Sequence, residues 1–150
     1  MRKKANNKHE INDLISERWS PRAFNPHKEI VERDLHSLIE AARWAPSSFN
    51  EQPWRFFIGQ KNDDAYNSIL STLVEWNQKW VVNVPLLIMN VGKKTFTHNG
   101  KQNVTFKYDL GQAVAFMVIE ALHRGIVSHQ MSGFNAEKAA NRARLKGASH

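Results

Sequence analysis

Apolar positions recur along this chain with two different periods, and the switches between them mark the elements. Val31, Leu35, Leu38, Ile39 and Ala42 form one stripe of a helix predicted over about Val31 to Trp44. Pro46 stops that helix, because it lacks a donor and disfavours helical geometry at Ala45. Upstream, Ile11, Leu14 and Ile15 predict a short helix over His9 to Glu17, and Pro21 and Pro26 keep Ser20 to His27 irregular. Downstream, the aromatic-rich segment Trp54 to Ile58, bounded by Pro53 and Gly59, predicts a strand. Asn62-Asp63-Asp64 opens a further helix that buries Ile69, Leu70, Leu73 and Val74 and runs on, with a bend, through Trp76 and Trp80 to Val82. Those two tryptophans are read as core. Pro85 to Val91 is apolar on both faces and predicts an interior strand.

Gly92 to Asn103 is polar and predicts a surface loop, a candidate rim for a binding site. It leads into a helix from about Phe106 to Arg124 that is apolar nearly all round and therefore needs cover on every face. A central place within one subunit and a seam between two subunits both supply that cover. Gly125 ends the helix, and Ile126 to Met131 predicts another strand.

Two polar clusters interrupt this pattern. The corner between the second helix and the first strand carries Pro46, Ser47, Ser48, Asn50 and Gln52, four of them hydrogen-bonding side chains between apolar elements. A capped turn explains such residues when they stand alone. About two dozen residues earlier, Arg18, Ser20 and Arg22 alternate, so that an extended backbone sends all three side chains to one side. Two guanidinium forks and a hydroxyl suit a phosphate, and a solvated basic turn is the simpler alternative.

Taken together, Arg18-x-Ser20-x-Arg22, a helix, and then Pro46-Ser-Ser-Phe-Asn-Glu-Gln-Pro-Trp54 resemble the nitroreductase family of FMN-dependent oxidoreductases. Tyr108-Asp109-Leu110-Gly111-Gln112-Ala113 is similar to the family's Asp-Leu-Gly-x-Ala helix, with Glu120 to Gly125 as the end of that helix. His129 to Asn135 resembles the family's segment lining the flavin. These matches run from about residue 10 to residue 138.

The resemblance implies an α+β fold of the three-layer type, with a mainly antiparallel central sheet flanked by helices and the long helix buried at a homodimer interface. It implies one domain over residues 1–150, flanked by a disordered basic tail at 1–8 and a divergent basic tail from about 139. It further implies FMN at the subunit boundary. Arg18, Ser20 and Arg22 would take its phosphate and ribityl end, and Asn50 and Gln52 the polar edges of its ring. Pro46, Ser47 and Ser48 would approach from the partner subunit, and Gln130, Met131, Ser132 and Gly133 would pass the reactive edge chiefly by backbone. Gly133 suits close approach because it has no Cβ. The implied reaction moves hydride from NADPH or NADH through the flavin to a nitroaromatic, quinone or similar acceptor, the two substrates alternating, with no side chain as nucleophile. Past residue 138 the family continues into a further strand and flavin contacts, whereas this sequence turns to Ala-Ala-Asn-Arg-Ala-Arg-Leu-Lys-Gly. The competing expectation is a non-enzymatic remnant of the same fold that binds flavin weakly or not at all.

Composition removes other classes. The chain has 150 residues, 41% of them apolar, enough for one domain with a core, and no cysteine, which excludes disulfides and thiolate chemistry. Its net charge of +7 invites a nucleic-acid reading. Yet 8 of the 21 basic residues sit at the two ends, and the other 13 face all 14 acidic ones, so the body is nearly neutral. No aromatic and basic interleaving supports a nucleic-acid groove. No two of the seven histidines stand four apart, Ser47 and Ser48 lack a Gly-x-Ser-x-Gly elbow, and no glycine-rich dinucleotide loop is present. The N-terminal residues lack the apolar stretch of a secretory signal, and Ala113 to Ile119, the longest apolar run, falls far short of a membrane span. A soluble cytoplasmic protein without metal, membrane or nucleic-acid partners is expected.

Overall fold

A computed structural model of the chain describes residues 4–147. Residues 1–3 and 148–150, parts of the two expected basic tails, lie outside the described residues. The chain divides into two compact units, each assembled from separated segments. One comprises Met1–Pro21, Val31–Pro53 and Lys94–Gln130; the other comprises Arg22–Ile30, Trp54–Lys93 and Met131–His150.

The first unit is helical. Helix α1 (Asp13–Glu17) begins where the Asn12 side chain accepts a hydrogen bond from the Leu14 N–H, so it is shorter than the apolar spacing predicted. Helix α2 (Glu32–Arg43) buries Leu35, Leu38 and Ala42 and ends just ahead of Pro46. Its partner is a long helix, Phe106–His123, numbered α5 in chain order below, which buries Ala113, Met117, Val118 and Ala121. Arg124 links the pair, its guanidinium lying 3.0 Å from Asp34 of α2 and 2.6 Å from Glu120.

Gly125 closes the long helix at φ +73°, a backbone that other L-residues rarely adopt. There the Gly125 N–H donates to the Leu122 carbonyl and the Ile126 N–H to that of Ala121, the two bonds of a Schellman cap. The strand predicted over Ile126 to Met131 does not form; residues 126–133 are irregular, and only Phe134 makes a bridge, to Leu73. Apolar side chains favour a strand only where a neighbouring backbone completes the ladder. Here the only such rung falls at Phe134, beyond the predicted stretch.

The second unit holds the sheet. Strands β1 (Trp54–Gln60) and β2 (Leu86–Gly92) pair antiparallel, from Trp54 opposite Gly92 to Gln60 opposite Leu86. Among the described residues β2 has β1 as its only partner, so it is not the interior strand its composition suggested; of its side chains only Leu87 is fully buried. Helix α3 (Asp64–Leu70) lies against both strands, and Asp63 caps it. Tyr66, Ile69, Leu73, Val81 and Leu87 form the core, with Trp80, Met89 and Met131 against it.

The predicted long helix breaks at 71–74 and resumes as α4 (Glu75–Val81). The break is occupied by the returning chain: the Asn135 N–H donates to the Thr72 carbonyl, and the Val74 N–H to that of Gly133. Trp80 is core, stacked on Phe24 at 6.0 Å, whereas Trp76 is exposed. The segment expected as a divergent tail starts as a helix, α6 (Ala136–Gly147), with Asn135 accepting from the Lys138 N–H and Ala139 buried. Among the described residues no helix is long and apolar enough to cross a membrane.

Candidate functional site

In the first unit the corner after α2 is a compact turn with an unusual backbone. Ser48–Asn50 form one 3-10 turn, the Asn50 and Glu51 N–H groups donating to the Ser47 and Ser48 carbonyls. Phe49, Asn50 and Gln52 all lie in the left-handed region, at φ 54°, 51° and 48°. Each such residue other than glycine costs roughly 1–3 kcal/mol and persists only where its surroundings dictate it.

Those surroundings are specific. The Ser47 hydroxyl accepts from the Gln52 N–H at 3.0 Å, closing the corner on itself. Asp109, in the first turn of α5 and 2% exposed, accepts from the Ser48 N–H at 3.2 Å. Gln112, one turn further on, donates to the Pro46 carbonyl at 3.3 Å. From the loop before α5, the Thr97 hydroxyl donates to the Glu51 carboxylate at 2.6 Å, and the Thr97 N–H reaches both carboxylate oxygens at 2.9 and 3.0 Å. That loop is a small hairpin bridged between Thr95 and Gln102. Its Phe96 and His98 rings pack on Phe49, which is itself 82% exposed.

The corner thus presents Asn50 and Gln52 as a linked pair, the Gln52 amide donating to Asn50 Oδ1 at 3.1 Å. Side-chain amides combine donor and acceptor groups, which is what the mixed polar edge of a flavin ring requires. Also in this unit, Arg18 and Ser20 are exposed and meet, the guanidinium donating to the hydroxyl at 3.2 Å. Gln130 is exposed at the end of the unit. Pro46 is exposed, and Ser47 and Ser48 are half-buried.

Arg22, Met131, Ser132 and Gly133 belong to the second unit. Arg22 is exposed and in no ion pair among the described residues. Met131 packs on the core and Ser132 is exposed. Gly133 meets a crowd: a Cβ there would come within 2.7 Å of Asn77 Nδ2 and 3.0 Å of Val74 Cγ2. Its carbonyl accepts from the Val74 N–H and from the Asn77 amide, each at 3.0 Å. Close approach of protein to protein therefore accounts for this glycine. Within the first unit, the exposed Arg18 guanidinium and the linked Asn50 and Gln52 amides are donor types that suit a phosphate and the polar edge of a flavin ring. Among the described residues no cluster of three metal-ligating side chains occurs.

Three anchors of the corner, Asp109, Glu51 and Thr97, were not read as functional from sequence. Asp109 did stand out there in two ways, as the opening residue of the match to the family's Asp-Leu-Gly-x-Ala helix and as an acidic residue opening a helix that is otherwise apolar nearly all round, but neither pointed to Ser48.

The profile of the Nitroreductase family matches residues 15–149 of this chain. The major NAD(P)H-flavin oxidoreductase of Aliivibrio fischeri is 25% identical over 93 residues, covering 61% of this chain and 43% of that protein. The oxygen-insensitive NADPH nitroreductase of Helicobacter pylori is 40% identical over 50 residues, covering 33% of this chain and 24% of that protein. These matches span less than half the length of either relative. Among solved structures, an oxidoreductase containing FMN superposes with a TM-score of 0.87 at 30% identity, covering 94% of this chain and 72% of that one.

Proposed function

This chain belongs to the nitroreductase family, and we propose that it is an FMN-dependent oxidoreductase acting as a homodimer in the cytoplasm, with residues 1–150 as one nitroreductase-like domain. The observation that carries the proposal is the corner itself. Three left-handed residues in four positions, tied to Asp109 at Ser48 and to Thr97 at Glu51, carry the linked Asn50 and Gln52 amides and support this reading. A mere connection between a helix and a strand requires no such strain.

When bound, the flavin supplies the redox chemistry, taking hydride from NADPH or NADH and passing it to a nitroaromatic, a quinone or a similar acceptor. The protein's part is binding and orientation. Arg18, Ser20 and Arg22 serve the phosphate and ribityl end by charge and hydrogen bonding. Asn50 and Gln52 meet the polar edges of the ring, with Pro46, Ser47 and Ser48 contributed from the second subunit. Gln130, Met131, Ser132 and Gly133 border the reactive edge mainly through backbone. No side chain acts as a nucleophile.

Support for the dimer comes from α5. One side of it is buried against α2, yet Ala115 is exposed and Phe116 is 45% exposed. A second copy of the helix covers that apolar remainder.

The test is turnover. Purified protein supplied with FMN should be bleached by NADPH or NADH under argon and regain its flavin absorbance on addition of a quinone or nitroaromatic. Folded protein that binds FMN but is bleached by neither nucleotide would overturn the enzymatic reading. Folded protein that binds no FMN would instead favour a non-enzymatic form of the fold.

A further inference from the structure

The strained corner does not hold itself. Between Ser48 and Gln52 the backbone enters the left-handed region three times, and two of those residues are the amides proposed to meet the flavin ring. A segment with internal hydrogen bonds alone would relax to cheaper torsions. Something outside it must fix its entry point, and the structure supplies a buried carboxylate there.

Asp109 Oδ2 accepts from the Ser48 N–H at 3.2 Å across 61 residues of sequence. The same oxygen lies 3.1 Å from the Thr105 hydroxyl. Thr105 is in turn tied to Asn103, which is fully buried: its N–H donates to Asn103 Oδ1 at 3.0 Å, and its hydroxyl lies 2.8 Å from that oxygen. The hydroxyl has one proton and so serves Asp109 or Asn103 at any moment, which makes Ser48 the steady donor to Asp109. Asn103 Nδ2 is buried and has no partner.

We propose that Asp109 is a positioning residue: by holding the Ser48 N–H from the first turn of α5 it sets the left-handed corner, and with it the Asn50 and Gln52 amides that engage the flavin ring. The inference rests on the flavin reading for its ligand, but the Asp109 to Ser48 contact stands independently of it. Asp109 is buried, and in this proposal it acts through the Ser48 N–H rather than by contact with the ring. Its effect falls on the ring end of the cofactor and leaves the phosphate end alone.

Three variants of the full chain test this: Asp109→Ala, Asp109→Asn and Arg22→Ala. Each is titrated with FMN and with riboflavin, which has the ring but no phosphate, and Ser48 amide exchange is followed by NMR. A hydrogen bond to a charged acceptor is worth on the order of ten-fold in binding, so Asp109→Ala should weaken both ligands by about that factor and speed Ser48 exchange. Asp109→Asn keeps an acceptor oxygen but loses the charge, so its losses should be intermediate and equally shared between the two ligands. Arg22→Ala should weaken FMN alone.

Folded Asp109→Ala with unchanged Ser48 exchange, or with unchanged riboflavin affinity, would overturn the proposal. Should Asp109→Ala fail to fold, Asp109→Asn decides by the same two readouts, and its equality with the parent protein in both would be equally fatal. A parent protein that takes up neither ligand would sink the flavin reading. Ser48 exchange in the variants would then still decide whether Asp109 holds the corner.

Discussion

Arg22 is the residue whose surroundings most nearly isolate one interaction. It is exposed and lacks a carboxylate partner among the described residues, so removing it breaks no internal ion pair. Arg22→Ala should leave the thermal midpoint unchanged and raise the Kd for FMN by about ten-fold, the value of one charge-assisted phosphate contact. Loss of that contact in a titration monitored by flavin fluorescence checks it. An unchanged Kd would remove Arg22 from the clamp. Gly133 shows how residue-scale reading stops short. The sequence reading tied its missing Cβ to the approach of a ligand, whereas the neighbours that crowd the position are Asn77 and Val74, 56 residues or more away and not readable from the local string. The same holds for the corner. Its composition marked it as a turn with unusual polar content, while its anchors Asp109 and Thr97 come from segments about 60 and 46 residues removed.

Among the elements, those fixed by local physics followed the sequence closely. The apolar stripe of α2 and the proline after it placed both helix ends, and Gly125 placed the end of α5. Elements that depend on a distant partner did not follow. Ile126 to Met131 has the composition of a strand but lacks the paired backbone, and the helix expected through residue 82 is broken where the returning chain bonds Thr72 and Val74. Helix α6 carried a readable signal in Asn135 as a cap ahead of alanine-rich sequence, and the overall basicity of the segment obscured it.

The end of α2 yields a pH prediction. Arg43 grips Glu40 with two nitrogens at 2.6 and 2.9 Å, and the Trp44 indole donates to the same carboxylate at 2.9 Å. The Arg43 hydrogen bonds first, and the Trp44 one second, hold the Glu40 carboxyl down at about 2 from an ordinary 4.5. A lowered value means that the folded chain favours the carboxylate. The contribution is therefore complete above pH 4.5 and is lost as pH falls through about 2. Carboxyl NMR should find Glu40 titrating near 2, and Arg43→Ala should return it toward 4.5. A Glu40 titration unaffected by Arg43→Ala would contradict the assigned cause. Being exposed, the cluster is expected to steady the last turn of α2 rather than the whole fold.

For the whole molecule the decisive feature is a long helix with more apolar surface than its own unit covers. Phe116 is 45% exposed, and introducing a charge there leaves the buried side with Ala113, Met117 and Ala121 untouched. Phe116→Glu should therefore keep the helical circular dichroism while moving the protein from dimer to monomer in analytical ultracentrifugation, since an unpaired charge is costly in an apolar interface. A variant as dimeric as its parent would take α5 out of the interface. The proposed dimer rests on the exposed apolar face of α5, and the flavin reading depends on it for Pro46, Ser47 and Ser48.

Equilibrium titration of the folded 150-residue chain with FMN tests the central claim most directly. Saturable uptake of one FMN per chain, with quenching of the flavin fluorescence, is the predicted result. Absence of any uptake at millimolar FMN by a chain that is demonstrably folded would contradict it.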